Sequence, residues 1–301
     1  MKGGLKGLMP KPTGPSPATG PLLMLLSACM FTAMNLLLKQ SMADFRVWDI
    51  GFYRFFGGLV ILTAVFGRHG NPFRSPDTKL LLIRGCSGSI AFVAFVFSVR
   101  MLPVSTALML LYSFPAFAAV FSAWLYREKV SATGWLCLAL VLVGVGLLVD
   151  PAVGGDRLGY LAGMVSAVFA GLTIAIIRRL KQSNGSVVIY LYFCAVGAAV
   201  TAPFFLQGPV LPVSTHQVLV CGGIVVTSIF GQLTMNHGFG YCRSWEGGLY
   251  MTSEMVFTAI AGIMIFGDPA GWRFWTGGAL ILGSAVVVQM QRTFPWSQSG
   301  G

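Results

Sequence analysis

Two charged side chains lie deep inside runs of apolar residues, where a bilayer penalises them. Glu254 is about eight residues into the run 246–266, and Arg54 is about six residues into the run 48–66. At a helical rise of about 1.5 Å per residue, the carboxyl is about 12 Å from the membrane surface. A charge at that depth costs about 3 kcal/mol. Residues that tolerate this line a cavity or meet a partner, and they mark ion or solute paths. A carboxyl so placed is a candidate to take up and release a proton, or to hold a cationic group. A guanidinium grips a carboxylate or phosphate through parallel hydrogen bonds. The plainer roles are a Glu254 that only joins helices and an Arg54 that snorkels to the outer headgroups or pairs with Glu254.

Other polar and aromatic residues extend the candidate site. Tyr250 shares a helical face with Glu254. Tyr112 stands beside small residues, and Pro115 frees a backbone carbonyl near the middle of its run. Asn35, Gln232 and Asn236 are amides in apolar runs, and each needs a partner, either another helix or a solute. Phe95 and its neighbour Phe92 offer rings to a planar solute. Arg84 is nearer the cytoplasmic end of its run, where snorkelling or contact with lipid phosphate is expected. Glu128, beside Lys129, and Asp268, near Arg273, lie just past run ends and read as gate or loop ion pairs. The sequence holds no H-E-x-x-H, G-x-S-x-G or phosphate-binding loop. No enzyme activity, cofactor or metal is therefore expected. The six cysteines form no C-x-x-C pair and read as small apolar filler.

The elements that position these residues follow from hydropathy. Hydrophobic residues make up 55% of the 301 and charged residues only 10%, against about 25% charged in a soluble globule. Ten continuous runs each suit a membrane helix of about 20 residues: roughly 21–39, 48–66, 80–99, 103–124, 132–149, 158–177, 186–206, 216–236, 246–266 and 271–290. Continuous rather than alternating runs point to an all-α membrane protein and not to a barrel. Residues 1–20 and 291–301 read as loose tails. With both termini in the cytoplasm, thirteen Lys and Arg fall on the cytoplasmic side and five outside. This bias sets the orientation in a cell (inner) membrane. It also accounts for much of the +11 net charge without nucleic acid. Trp48, Trp245 and Trp272, near run ends, read as interfacial anchors.

The chain also repeats. Ser27 and Lys39 in the first run match Ser166 and Arg178 in the sixth at an offset of 139, and Glu128 matches Asp268 at 140. Gly144 and Gly146 in the fifth run answer Gly277, Gly278 and Gly283 in the tenth. Residues 21–150 and 157–290 thus read as two copies of a five-helix unit. Five is odd, so the second copy enters the membrane from the opposite face. Such inverted repeats are a device of transporters. The paired glycines suit either the join between the halves or a homodimer contact.

With these motifs the chain resembles the drug/metabolite transporter superfamily, specifically its EamA family. The resemblance rests on Tyr53-Arg54-Phe55, Arg84-Gly85 with Gly88-Ser89, Tyr112 through Phe117, Arg127-Glu128-Lys129, Gly231-Gln232, Ser253 through Phe257, and Gly267-Asp268. It implies movement of small organic solutes across a membrane. Met255 stands where many members have proline, so no helix break is expected at that point of span nine. The expected function is secondary active transport of an amino-acid-like or other anionic or zwitterionic metabolite by alternating access. Substrate contacts come from Arg54, Tyr112, Gln232 and Tyr250, and protons are coupled at Glu254. An uncoupled exchanger for a planar metabolite or drug is the alternative, and an intramembrane lipid enzyme a remote one.

Overall fold

The computed structural model describes residues 18–67, 73, 75–102, 104–148, 156–266 and 271–293, and its regular elements are α-helices. In order they are α1 (Thr19–Ser41), α2 (Val47–Phe66), α3 (Thr78–Met101), α4 (Val104–Leu111), α5 (Phe114–Tyr126), α6 (Ala132–Leu148), α7 (Arg157–Leu180), α8 (Ser186–Leu206), α9 (Thr215–Gly238), α10 (Ser244–Met251), α11 (Ser253–Phe266) and α12 (Trp272–Thr293). Six of them, α1, α2, α3, α7, α8 and α9, are long and apolar enough to cross a membrane. Helix α1 begins at Thr19, just inside the stretch read as a tail. Asp268 lies outside the described residues.

The outer faces are apolar as well as the core, and several polar side chains are buried. Leu22, Val60, Leu161 and Leu219 are exposed, whereas Asp49, Arg54, Arg84, Asn236 and Glu254 are buried. Hydrocarbon rewards apolar outer faces and drives polar groups inward.

The runs expected as single helices over 103–124 and 246–266 are each divided in two. Contrary to expectation, span nine does break, and it does so without a proline. The Thr252 hydroxyl donates to the carbonyl of Leu249 at 2.6 Å, three residues back. The Ser113 hydroxyl does the same to Leu110 at 2.7 Å in span four. Such back-bonding competes with the helical ladder and bends it. Pro115 sits in the first turn of α5, where its missing N–H leaves no gap.

Packing joins distant parts of the chain. The principal partners are α3 with α7, α1 with α9, α2 with α8, and α6 with α12. Helix α5 also packs on α7, α11 on α1, α3 on α8, and α2 on α9. At Gly144 a side chain would come within 2.8 Å of the Gly277 carbonyl, so the missing Cβ is what lets α6 lie against α12. Trp245, expected at the interface, is buried against Gly134 instead.

The turn before α3 is tied to the turn after α7. Ser183 and Asn184 both donate to the Asp77 carboxyl, the amide at 2.9 Å. These bonds hold that carboxyl below the usual carboxylate range.

Candidate functional site

The two helix breaks face each other across a cavity of about 140 Å3. This is below the roughly 300 Å3 at which sites begin to take drug-sized ligands, so it suits a small metabolite. Its wall includes Asn35 of α1, Arg54 of α2, Arg84 and Phe95 of α3, Tyr112 at the first break, Gln232 of α9 and Glu254 of α11.

At the acidic end, the break at Thr252 puts Glu254 in the first turn of α11, among buried residues. The free N–H groups and dipole of a helix start favour an anion. Asn35 donates to the Glu254 carboxylate at 2.8 Å, and Thr32 donates to its backbone carbonyl at 3.3 Å. The Tyr112 hydroxyl lies by the same carboxylate but makes no hydrogen bond of sound geometry.

At the basic end, Arg54 Nε donates to Ser228 Oγ at 2.7 Å, and Arg84 Nη2 donates to Gln232 Oε1 at 3.0 Å. Ser228 and Gln232 are four residues apart on α9, so one helical face steadies both guanidinium groups. Tyr190 in turn meets Ser228, hydroxyl to hydroxyl, at 2.9 Å. The rings provide the remaining support. Arg54 lies 3.9 Å from the centre of Phe92, and Arg84 lies 4.0 Å from the centre of Phe193. A guanidinium over an aromatic face gains about 2 kcal/mol when desolvated. Arg54 Nη1 and Arg84 Nε and Nη1 are buried with no hydrogen-bond partner among the described residues. Nor does an ion pair join either arginine to Glu254 among those residues.

Several expectations are corrected here. Arg84 does not snorkel: it is 1% exposed and turns inward. Gly88, one turn along α3, permits this, since a Cβ there would come within 2.7 Å of Arg84 Nη1. Arg54 neither snorkels nor pairs with Glu254, because Ser228 and the rings hold it. The face of Phe92 is taken by Arg54 rather than left for a planar solute. Tyr250 is buried on α10 but lies outside the cavity wall. So does Asn236, one turn beyond Gln232, whose amide donates to the Ser186 carbonyl at 3.3 Å. Pro115 packs near Gly248, and its neighbour Phe114 reaches the cavity.

Glu128 pairs with Arg178 at 2.8 Å, not with Lys129. The Ser244 N–H donates to the same carboxylate at 3.2 Å, and Arg178 also donates to the carbonyls of Phe239 and Cys242. This cluster ties the ends of α5 and α7 to the α9–α10 turn. It sits one turn beyond Ile174 of the cavity wall.

Phe193, Ser228 and Thr173 carry or line the site and were not singled out in the sequence. A signal for Phe193 existed, since it stands 139 positions after Arg54 (193 − 54). The same offset organises the whole wall. Sixteen of its twenty residues form eight pairs 139 or 140 positions apart. Helices α1 and α7 contribute Phe31 with Ala170, Met34 with Thr173, and Asn35 with Ile174. Helices α2 and α8 contribute Arg54 with Phe193, and α3 and α9 contribute Phe92 with Gln232 and Phe95 with Met235. The breaks contribute Leu111 with Met251 and Phe114 with Glu254.

Comparison with known proteins agrees in kind. The chain is 26% identical over 280 residues to the pseudopaline exporter of Pseudomonas aeruginosa, covering 90% of this chain and 95% of that one. It is 26% identical over 309 residues to human solute carrier family 35 member G1, covering 96% and 83%. It is 21% identical to the S-adenosylmethionine uptake transporter of Rickettsia felis, covering 88% and 90%. A solved crystal structure superposes with a TM-score of 0.75 at 19% identity, over 92% of this chain and 99% of that one. That last likeness concerns the fold. The model of the EamA-like transporter family matches residues 18–150 and again 157–290. With both matches together spanning most of its length, the chain belongs to the EamA-like transporter family, within the drug/metabolite transporter superfamily, and is a membrane transporter rather than an enzyme.

Proposed function

We propose that this chain is a secondary active transporter that carries a small anionic or zwitterionic organic solute by alternating access of two inverted five-helix halves. The paired cavity wall carries the reading. A central site assembled from equivalent positions of two halves is what a rocking mechanism requires. The helix boundaries support the repeat, since Val104–Leu111 of α4 returns 140 positions later as Ser244–Met251 of α10. Packing supports it too. Exchanging the halves turns α3 against α7 into α9 against α1, and α5 against α7 into α11 against α1, while α2 with α8 and α6 with α12 map onto themselves. In this reading α4 with α5, and α10 with α11, each cross the membrane as a broken pair, giving ten spans. Both termini are cytoplasmic, and the Glu128–Arg178 cluster closes the cytoplasmic end.

Glu254 is the proton-coupling group. Arg54 and Tyr112 face it from the neighbouring helices, and a proton on its carboxyl changes the charge that a solute meets. In proteoliposomes, Glu254→Gln is expected to reduce pH-driven uptake about tenfold or more. That corresponds to losing one hydrogen bond to a charged group, about 1.5–3 kcal/mol. Unchanged pH dependence would remove Glu254 from coupling. The bond from Asn35 favours a second reading, in which Glu254 stays ionised, binds a substrate amine and the chain exchanges solutes without protons. Counterflow without a proton current selects it. Among the relatives, one is named for export and others for uptake, so direction is left to transport assays on oriented vesicles.

A further inference from the structure

The charge on the cavity wall is unbalanced. Two guanidinium groups, Arg54 and Arg84, face one carboxylate, Glu254, across a space otherwise lined largely by rings and aliphatic side chains. Three guanidinium nitrogens, on two different arginines, are buried and unpartnered. A buried N–H without an acceptor costs about 1–3 kcal/mol, and more on a charged group. An uncompensated charge in an apolar space costs more again. Together these features specify what would relieve the site.

We infer that the cavity selects a solute bearing two carboxylates and one amine, with a net charge of −1. Resting on the transport reading above, this names the substrate class of the same site. One carboxylate engages one guanidinium in fork geometry. Each guanidinium is held by its own residue of α9, and a second acid group supplies the acceptors that the second guanidinium lacks. The amine has its counterpart at the other end of the cavity, where Glu254 and the unpartnered Tyr112 hydroxyl lie. Wall and solute then sum to zero: +2 from the arginines, −1 from Glu254 and −1 from the solute. A simple zwitterionic amino acid leaves +1 enclosed. The rings of Phe92 and Phe193 lie against the two guanidinium groups, and the acids engage the N–H groups in the guanidinium planes.

The test uses the full chain purified in detergent, with thermal unfolding measured against two matched series. One runs glutarate, glutamate, glutamine. The other compares iminodiacetate with its monoamide. Glutamate and iminodiacetate are expected to raise the unfolding temperature by about 5 °C at saturation, and their amides are not. Arg54→Gln and Arg84→Gln are each expected to weaken binding of the diacid by about tenfold or more. Glu254→Gln is expected to move the preference from glutamate to glutarate. If a variant misfolds, the contrast between acid and amide on the unaltered chain still decides. The inference is overturned if no amino diacid outperforms its amide, or if a neutral or cationic solute binds best. Counterflow in proteoliposomes separates the two claims. Binding of the diacid without counterflow leaves this specificity standing and sinks the transport reading. Counterflow restricted to neutral or cationic solutes does the opposite.

Discussion

Arg54 and Phe193 hold matching positions in the two halves, 139 residues apart, and one presents a charge where the other presents a ring. The contrast recurs around the wall. Asn35 answers Ile174, Gln232 answers Phe92, and Glu254 answers Phe114. The backbone is repeated while the chemistry is not. Repetition suits movement, because two like halves rock about one centre. Recognition requires the opposite. A site with equal ends has no preferred orientation for its solute, and polar groups at both members of every pair would bury more unpaired donors than one small solute satisfies. In these pairs the polar residue therefore has an apolar counterpart, and in the Arg54–Phe193 pair the counterpart's ring also lies near the guanidinium, at 5.6 Å.

Making the pair alike should have the largest effect. Arg54→Leu removes a buried charge and is expected to weaken solute binding about 30-fold or more, the low end of the cost of truncating a buried charged partner. Phe193→Leu keeps an apolar group but removes the ring face beneath Arg84, and should cost only about fivefold. Direct binding measurements on both variants check the order, and equal losses would mean that the two positions are not functionally distinct. The comparison also extends to the seam between the halves. Gly144→Ala forces a Cβ to within 2.8 Å of the Gly277 carbonyl and should destabilise by about 1–3 kcal/mol. Gly146→Ala, on the same helix with nothing within 4 Å, should be neutral or stabilise by up to about 1 kcal/mol. Thermal unfolding of the two variants side by side distinguishes a packing contact from a general dislike of substitution.

The smallest effect is expected at the turn before α3, which is bonded to the turn after α7. The Asp77 carboxyl is held below its ordinary range by Ser183 and Asn184. A group with a depressed folded-state value stabilises above its unfolded value, and that contribution is lost as pH falls through the folded value. Asp77→Asn should therefore lower the unfolding temperature slightly at neutral pH and leave it unchanged in acid. A difference that grows in acid would contradict this.

Much of this was legible in the residues because the bilayer acts locally. A run of twenty apolar residues is committed to a helix whatever surrounds it, since hydrocarbon offers backbone groups no other partner. A charge in such a run stands out for the same reason, and so Arg54, Glu254 and Asn35 were visible from the sequence. The offset of 139 or 140 was visible too, and applied to Arg54 it points to Phe193. Other features had no local signal. Arg84 reads as a snorkelling residue by its depth alone, and only the space above Gly88 and the amide of Gln232 on α9 turn it inward. Glu128 has Lys129 beside it in sequence, yet bonds to Arg178 because α5 and α7 end together. The break at Thr252 carries no proline to announce it. Hydropathy along the chain decided which segments enter the membrane and which charges are confined there. Which way those charges point, and which helix meets them, depended on packing between segments more than a hundred residues apart, and no property of a single helix encodes that.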